Sequence, residues 1–138
     1  MTYPFQVHTP HRPFYADKVE VIILTLIDGE IAVYANHSFF IAPVQTGILK
    51  IKDKTGTWRT AFISEGMLEV KGHNTILLVD AAEWPEEIDL ERSEAAKKSA
   101  EARIKDSSLR FETDLARAAL KRAEFRIKVK KMENTSRY

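Results

Sequence analysis

At 138 residues, 44% of them hydrophobic, the chain has apolar side chains for one core and an appendage, not for two large independent domains. It contains no cysteine, which excludes disulfides, thiolate metal sites and cysteine nucleophiles, and its longest apolar runs, such as Val21 to Leu26, are far shorter than the roughly 20 residues of a membrane-spanning helix. The formal net charge of +1 conceals a split, since residues 1–84 carry 7 Lys or Arg against 9 Asp or Glu while residues 85–138 carry 14 against 11.

The amino terminus, MTYPFQVHTP, has neither the charged n-region nor the apolar h-region of a secretory signal, so export is not expected. From there to about residue 80 the pattern is that of short strands, with apolar and β-branched residues alternating at period two. Phe5 and Val7 form one such set; Val19, Val21 and Ile23 a second; Ile31 and Val33 a third. Ile48 to Ile51 and Trp58 to Ile63 flank Asp53-Lys54-Thr55-Gly56, and Met67 to Val70 and Thr75 to Val79 flank Lys71-Gly72-His73-Asn74, both with the composition of hairpin turns. Strands at this spacing point to an antiparallel sandwich or barrel, with Phe39, Phe40, Trp58 and Phe62 expected in its core.

After Trp84 the pattern changes. Pro85 suits the first turn of a helix, and Glu86, Glu87 and Asp89 place negative charge at the positive end of its dipole. The remainder is rich in Ala, Glu, Lys and Arg and free of Gly and Pro, interrupted only by Asp106-Ser107-Ser108. The expected structure is two helices, 86–105 and 108–131, folded as an antiparallel hairpin. Spacings of three and four place Ile88, Arg92, Ala95, Ser99 and Ala102 on one seam, and Phe111, Leu115, Ala118, Arg122, Phe125, Val129 and Met132 on the other. The first seam is thin in large side chains, so the hairpin is expected to be marginally stable and able to unpack.

An arginine on each seam needs water, a carboxylate or an anion; Asp89, one turn before Arg92, is the nearest carboxylate. The run Lys121, Arg122, Arg126, Lys128, Lys130 and Lys131 has no aromatic besides Phe125 for stacking, so an acidic protein surface is expected as its partner rather than nucleic acid. His8, His11, His37 and His73 lack metal-binding spacing, and Gly-x-Ser-x-Gly and Walker-type loops are absent. No catalytic residue and no metal site are expected.

Val7-His8-Thr9-Pro10, Asp28-Gly29-Glu30-Ile31 followed by Asn36-His37, Gly66-Met67-Leu68-Glu69-Val70, Ala81-Ala82-Glu83 and Ile88-Asp89-Leu90-Glu91-Arg92 occur in this order along nearly the whole chain. Together they resemble the epsilon subunits of bacterial F-type ATP synthases. The chain departs from the family pattern at Arg12 and Ala32-Val33-Tyr34-Ala35, where glycines are usual, and at Ser93, where alanine is usual.

The resemblance implies a β-sandwich of about ten antiparallel strands, residues 1–84, binding the gamma subunit and the ring of c subunits, and a C-terminal two-helix regulatory hairpin, residues 85–138. It implies a rotor component of the central stalk, peripheral on the cytoplasmic face of the cell membrane without inserting into it. Such a subunit couples proton flow to ATP synthesis and inhibits ATP hydrolysis through its helices, which reach the alpha and beta subunits. Glu30 and His37 match the stretch facing the c-ring, and Lys128, Lys130 and Lys131 would meet acids on beta. No cofactor is required. In family members that bind ATP as a regulatory ligand, residues matching Glu83, Ile88, Asp89, Arg92, Arg122 and Arg126 form the site, with a further arginine where this chain has Ser99. The alternative is a β-sandwich interaction adaptor with a helical tail that senses no nucleotide.

Overall fold

The computed structural model describes residues 1–132; the end of the expected 85–138 segment, residues 133–138, lies outside the described residues. The chain forms two compact units, one spanning Met1–Trp84 and one beginning at Pro85.

The first unit contains nine strands: β1 (Tyr3–His8), β2 (Pro13–Leu26), β3 (Gly29–Tyr34), β4 (Phe40–Val44), β5 (Gly47–Asp53), β6 (Trp58–Ile63), β7 (Gly66–Lys71), β8 (Asn74–Val79) and β9 (Ala82–Glu83). They pair in the order β1-β8-β7-β4-β2-β5-β6-β9, with β3 on β2. The first half of the long β2 also pairs with β1, so part of the path closes on itself around the core. The expected sandwich of about ten strands is found, and its all-antiparallel pairing is corrected at one place. There are nine among the described residues, and β1 runs parallel to β8. The reason is topological: β1 lies between β2 and β8, and the direction that makes it antiparallel to β2 sets it parallel to β8.

Period-two alternation places the core as expected, with one phase change. Val19 and Val21 are buried, but the next buried residues are Ile22 and Leu24 rather than Ile23. A bulge explains the shift: between Val19 and Val21 the register with β5 slips, and the extra residue turns the rest of β2 over. Phe62 is fully buried and Phe40 and Trp58 are half-buried, whereas Phe39, expected inside, is 63% exposed. It stands just before β4 and shares the outward phase of Ile41.

Local chemistry fixes the turns. Gly29 closes the β2–β3 hairpin at φ 124°, a conformation that costs glycine little. Asp53 organises the β5–β6 turn by accepting the backbone N–H groups of Thr55 and Thr57 at 2.9 and 3.0 Å and the Thr55 hydroxyl at 2.5 Å. At the end of the unit Trp84 stacks on Phe14, centroids 4.4 Å apart, and the Arg59 guanidinium lies 3.7 Å from the Trp84 ring centroid.

The second unit is a 3-10 turn (Pro85–Glu87) followed by α1 (Leu90–Asp106) and α2 (Arg110–Met132). The first helix thus begins at Leu90, not at 86, because Pro85-Glu86-Glu87 closes its own turn through the Ile88 N–H to the Pro85 carbonyl at 3.2 Å. Asp89 is extended and caps α1. The second helix begins at Arg110, not at 108. Ser107 ends α1, and its hydroxyl oxygen accepts the Leu109 N–H and donates to Glu112.

The helices pack on a seam displaced from the expected one along α1 and the first half of α2. On α1 the shielded positions are Ser93, Lys97, Ala100 and Ile104, while Arg92, Ala95, Ser99 and Ala102 are exposed. On α2, Thr113, Ala116, Leu120, Ala123 and Ile127 are shielded, while Phe111 and Leu115 are 72% and 55% exposed and Ala118 is exposed; farther along, the expected Val129 is fully buried and Phe125 and Met132 are half-buried. The physical reason is side-chain size. Ser93, Ala100, Ala116 and Ala123 allow close helix approach that Phe111 and Leu115 would prevent, so the small residues win the interface.

Candidate functional site

In the first unit the layer β4-β7-β8-β1 presents an outer face on which exposed apolar residues stand beside His8, Gln6 and Glu69. Inward positions Leu68, Val70, Leu77, Val79, Phe5 and Val7 are buried, so the alternate residues point outward. Register places Pro43, Met67, Leu78 and His8 side by side across the four strands, and Ile41, Glu69, Ile76 and Gln6 in the next row. Ile41, Met67 and Leu78 are 53%, 43% and 53% exposed. Contiguous exposed side chains of this kind mark a docking surface.

The sequence reading missed this surface, although a signal was present. Thr75-Ile76-Leu77-Leu78-Val79 is apolar at consecutive positions, as in a strand covered on both faces.

Glu30 and His37 stand at opposite ends of β3. Glu30 is exposed and faces Thr25 across the hairpin. His37 is half-buried in the loop after the strand; its ring lies edge-on to Phe40 at 5.0 Å, and Nδ1 is 2.9 Å from the Ser38 carbonyl. Asn36 beside it takes φ 63°, a left-handed position that asparagine tolerates.

Of the residues expected to bind nucleotide, Glu83 belongs to the first unit, on β9, and the others to the second. Ile88 is buried before α1. Asp89 accepts the backbone N–H of Arg92 at 3.1 Å, so its carboxylate serves as helix cap; the expected pairing with the Arg92 guanidinium is absent among the described residues. Arg92 is exposed and Arg122 half-buried, and neither guanidinium has a hydrogen-bond or ion-pair partner among the described residues. Arg126 lies one turn beyond Arg122. The antiparallel pairing sets these three arginines at one end of the hairpin, the end where the Lys130 ammonium donates to the Pro85 carbonyl at 3.1 Å. The lysines expected to act together therefore divide: Lys130 is engaged at the 3-10 turn, while Lys128 and Lys131 are exposed.

Among the described residues no cluster of His, Asp or Glu is suited to hold a metal, and no helix is long and apolar enough to cross a membrane. Residues 2–85 match the family described as ATP synthase, Delta/Epsilon chain, beta-sandwich domain, and residues 86–131 match its long alpha-helix domain.

The chain belongs to the ATP synthase epsilon-chain family.

It is 46% identical over 127 residues to the ATP synthase epsilon chain of Caldicellulosiruptor bescii, covering 92% of each chain. It is 44% identical over 129 residues to that of Caldanaerobacter subterraneus, covering 93% of each. The fold is shared with a chain of the Euglena gracilis mitochondrial ATP synthase F1/c-ring structure, at TM-score 0.79 and 20% identity over 98% of this chain and 82% of that one. A chain of the Tetrahymena thermophila central stalk/c-ring structure matches at TM-score 0.68 and 14% identity, covering 94% and 97%. Epsilon chains thus account for both units of this molecule.

Proposed function

We propose that the chain acts as a non-catalytic rotor subunit of an F-type ATP synthase, joining gamma to the c-subunit ring in the central stalk on the cytoplasmic face of the membrane. The observation that carries this reading is the outer face of β4-β7-β8, where Met67 and Leu78 are exposed in register and Ile41 is exposed in the neighbouring row. A sheet face of this kind calls for a protein partner, and gamma is the partner the family supplies. Glu30 and His37 would supply polar contacts to the c-ring from the two ends of β3. The hairpin, held by small residues over much of its seam, would open to restrain hydrolysis, with Lys128 and Lys131 meeting acids on the beta subunits. Co-purification with gamma and the catalytic subunits from detergent-solubilised membranes tests the assignment. Their absence from the purified material would remove it.

A second element of the proposal is that ATP binds the folded hairpin. Its support is the unpartnered state of Arg92 and Arg122 at the hairpin end that also carries Arg126. A ligand specific for the folded form, at ten times its dissociation constant, stabilises that form by about 1.4 kcal/mol, enough to tip a marginal equilibrium. Isothermal titration with ATP should show binding that Arg92→Ala and Arg122→Ala weaken. No heat at millimolar ATP, or equal binding by all three proteins, would leave these arginines as solvated helix residues.

A further inference from the structure

Lys97 of α1 and Glu124, Phe125, Ile127, Lys128 and Lys131 of α2 line a groove of about 450 Å³. Its walls combine two chemistries. Phe125 and Ile127 are half-buried and offer apolar surface, and the Lys128 ammonium lies 5.9 Å from the Phe125 ring centroid. Around them stand three ammonium groups against the single carboxylate of Glu124. None of these lysines has an ion-pair partner among the described residues. Like charges gathered without partners repel, and a bound anion relieves that repulsion.

We infer that this groove is a binding site for a small organic anion with an aromatic or aliphatic body, such as an aryl sulfonate or aryl carboxylate, and that its occupant favours the paired form of the helices. The volume falls within the range of small-molecule sites, about 300 to 1,000 Å³. An excess of two positive charges suits one or two negative charges on the ligand, and the Glu124 carboxylate opposes a polyphosphate.

The groove is separate from the arginines considered above. At 3.6 residues per turn, Lys128 stands about 200° around α2 from Arg126, and Lys131 about 180° from Arg122. Two faces of one helix therefore carry two cationic sets. Because Lys97 comes from α1 and the other residues from α2, opening the hairpin dismantles the groove, and occupancy is linked to pairing.

The test is a titration of the full chain with naphthalene-2-sulfonate followed by amide NMR. Saturable shifts are expected at Lys97, Phe125 and Lys128, with slower hydrogen exchange in both helices. Lys97→Glu, half-buried at the seam, and Lys128→Glu, exposed, should each weaken binding roughly tenfold with helical circular dichroism retained, while Arg122→Ala should bind as the original chain does. Shifts confined to other regions, or affinity unchanged in both lysine variants, would overturn the site. Slower exchange in α2 without α1 would overturn its link to helix pairing. Loss of binding in Arg122→Ala would show the anion at the arginine face instead and also overturn the site.

Discussion

Asp89 and Arg92 meet through the main chain, the Asp89 carboxylate accepting the Arg92 N–H at 3.1 Å as the cap of α1. One acid thereby satisfies an orphan donor at the helix start and leaves the arginine side chain out of the contact. Asp89→Ala should destabilise the hairpin by about 1 kcal/mol, seen as faster amide exchange in the first turn of α1. Asp89→Asn, which caps about as well, should restore protection. Equal exchange in all three proteins would contradict the capping role.

The displaced helix seam makes a sharper distinction. Ala100 is fully buried between the helices and Ala102 is exposed. Ala100→Leu should cost about 1 to 3 kcal/mol by overpacking, and Ala102→Leu should stay within about 0.5 kcal/mol of the original, as measured by helical circular dichroism during thermal unfolding. The reverse order would restore the seam read from the sequence.

Gly66 is fixed by close approach rather than by backbone angle. A Cβ there would lie 1.9 Å from the Leu78 carbonyl oxygen and 2.8 Å from Val79 Cα. Gly66→Ala must therefore push β7 from β8 and should reduce the stability of the sandwich by about 1 to 3 kcal/mol, seen as a lower denaturation midpoint. Gly72→Ala, with nothing within 4 Å of its Cβ, is the control.

Particular residues show what the sequence could and could not disclose. Alternation around Phe5, Val7, Leu68 and Val70 revealed strands and their buried phase because period two is a local property. The bulge after Val19 was hidden, since slipping the register depends on β5, some thirty residues away. The helices were legible from composition, but their seam was legible only toward the end of α2, at Phe125, Val129 and Met132. A rule that follows the largest apolar residues selected Phe111 and Leu115, whereas close packing selected Ala116 and Ala123. At the candidate site the arginines were visible as residue types. The lack of partners at Arg92 and Arg122 among the described residues, and the engagement of Lys130 with Pro85, required the fold.

Acid should weaken the sandwich in a defined window. Hydrogen bonds from the Thr55 hydroxyl and then the Thr57 N–H hold the Asp53 carboxyl below its ordinary value of 3.8. The Lys18 N–H and then the Lys54 side chain do the same for Asp17. A folded-state value below the unfolded one means that the contribution is present above 3.8 and is lost as pH falls through the folded value. Thermal midpoints of the sandwich should fall as pH drops below about 4, and Asp53→Asn should flatten that fall. An equally steep decline in the variant would assign the acid sensitivity to other carboxylates.

Docking on gamma through the outer face of β4-β7-β8 is the account's central claim, and gel filtration of the full chain with purified gamma tests it most directly. The original chain should co-elute with gamma. A Met67→Glu, Leu78→Glu double variant, folded by circular dichroism, should elute apart, because two buried carboxylates without partners would oppose the interface. Co-elution of the double variant at the original affinity, or failure of the original chain to join gamma at all, would contradict the account.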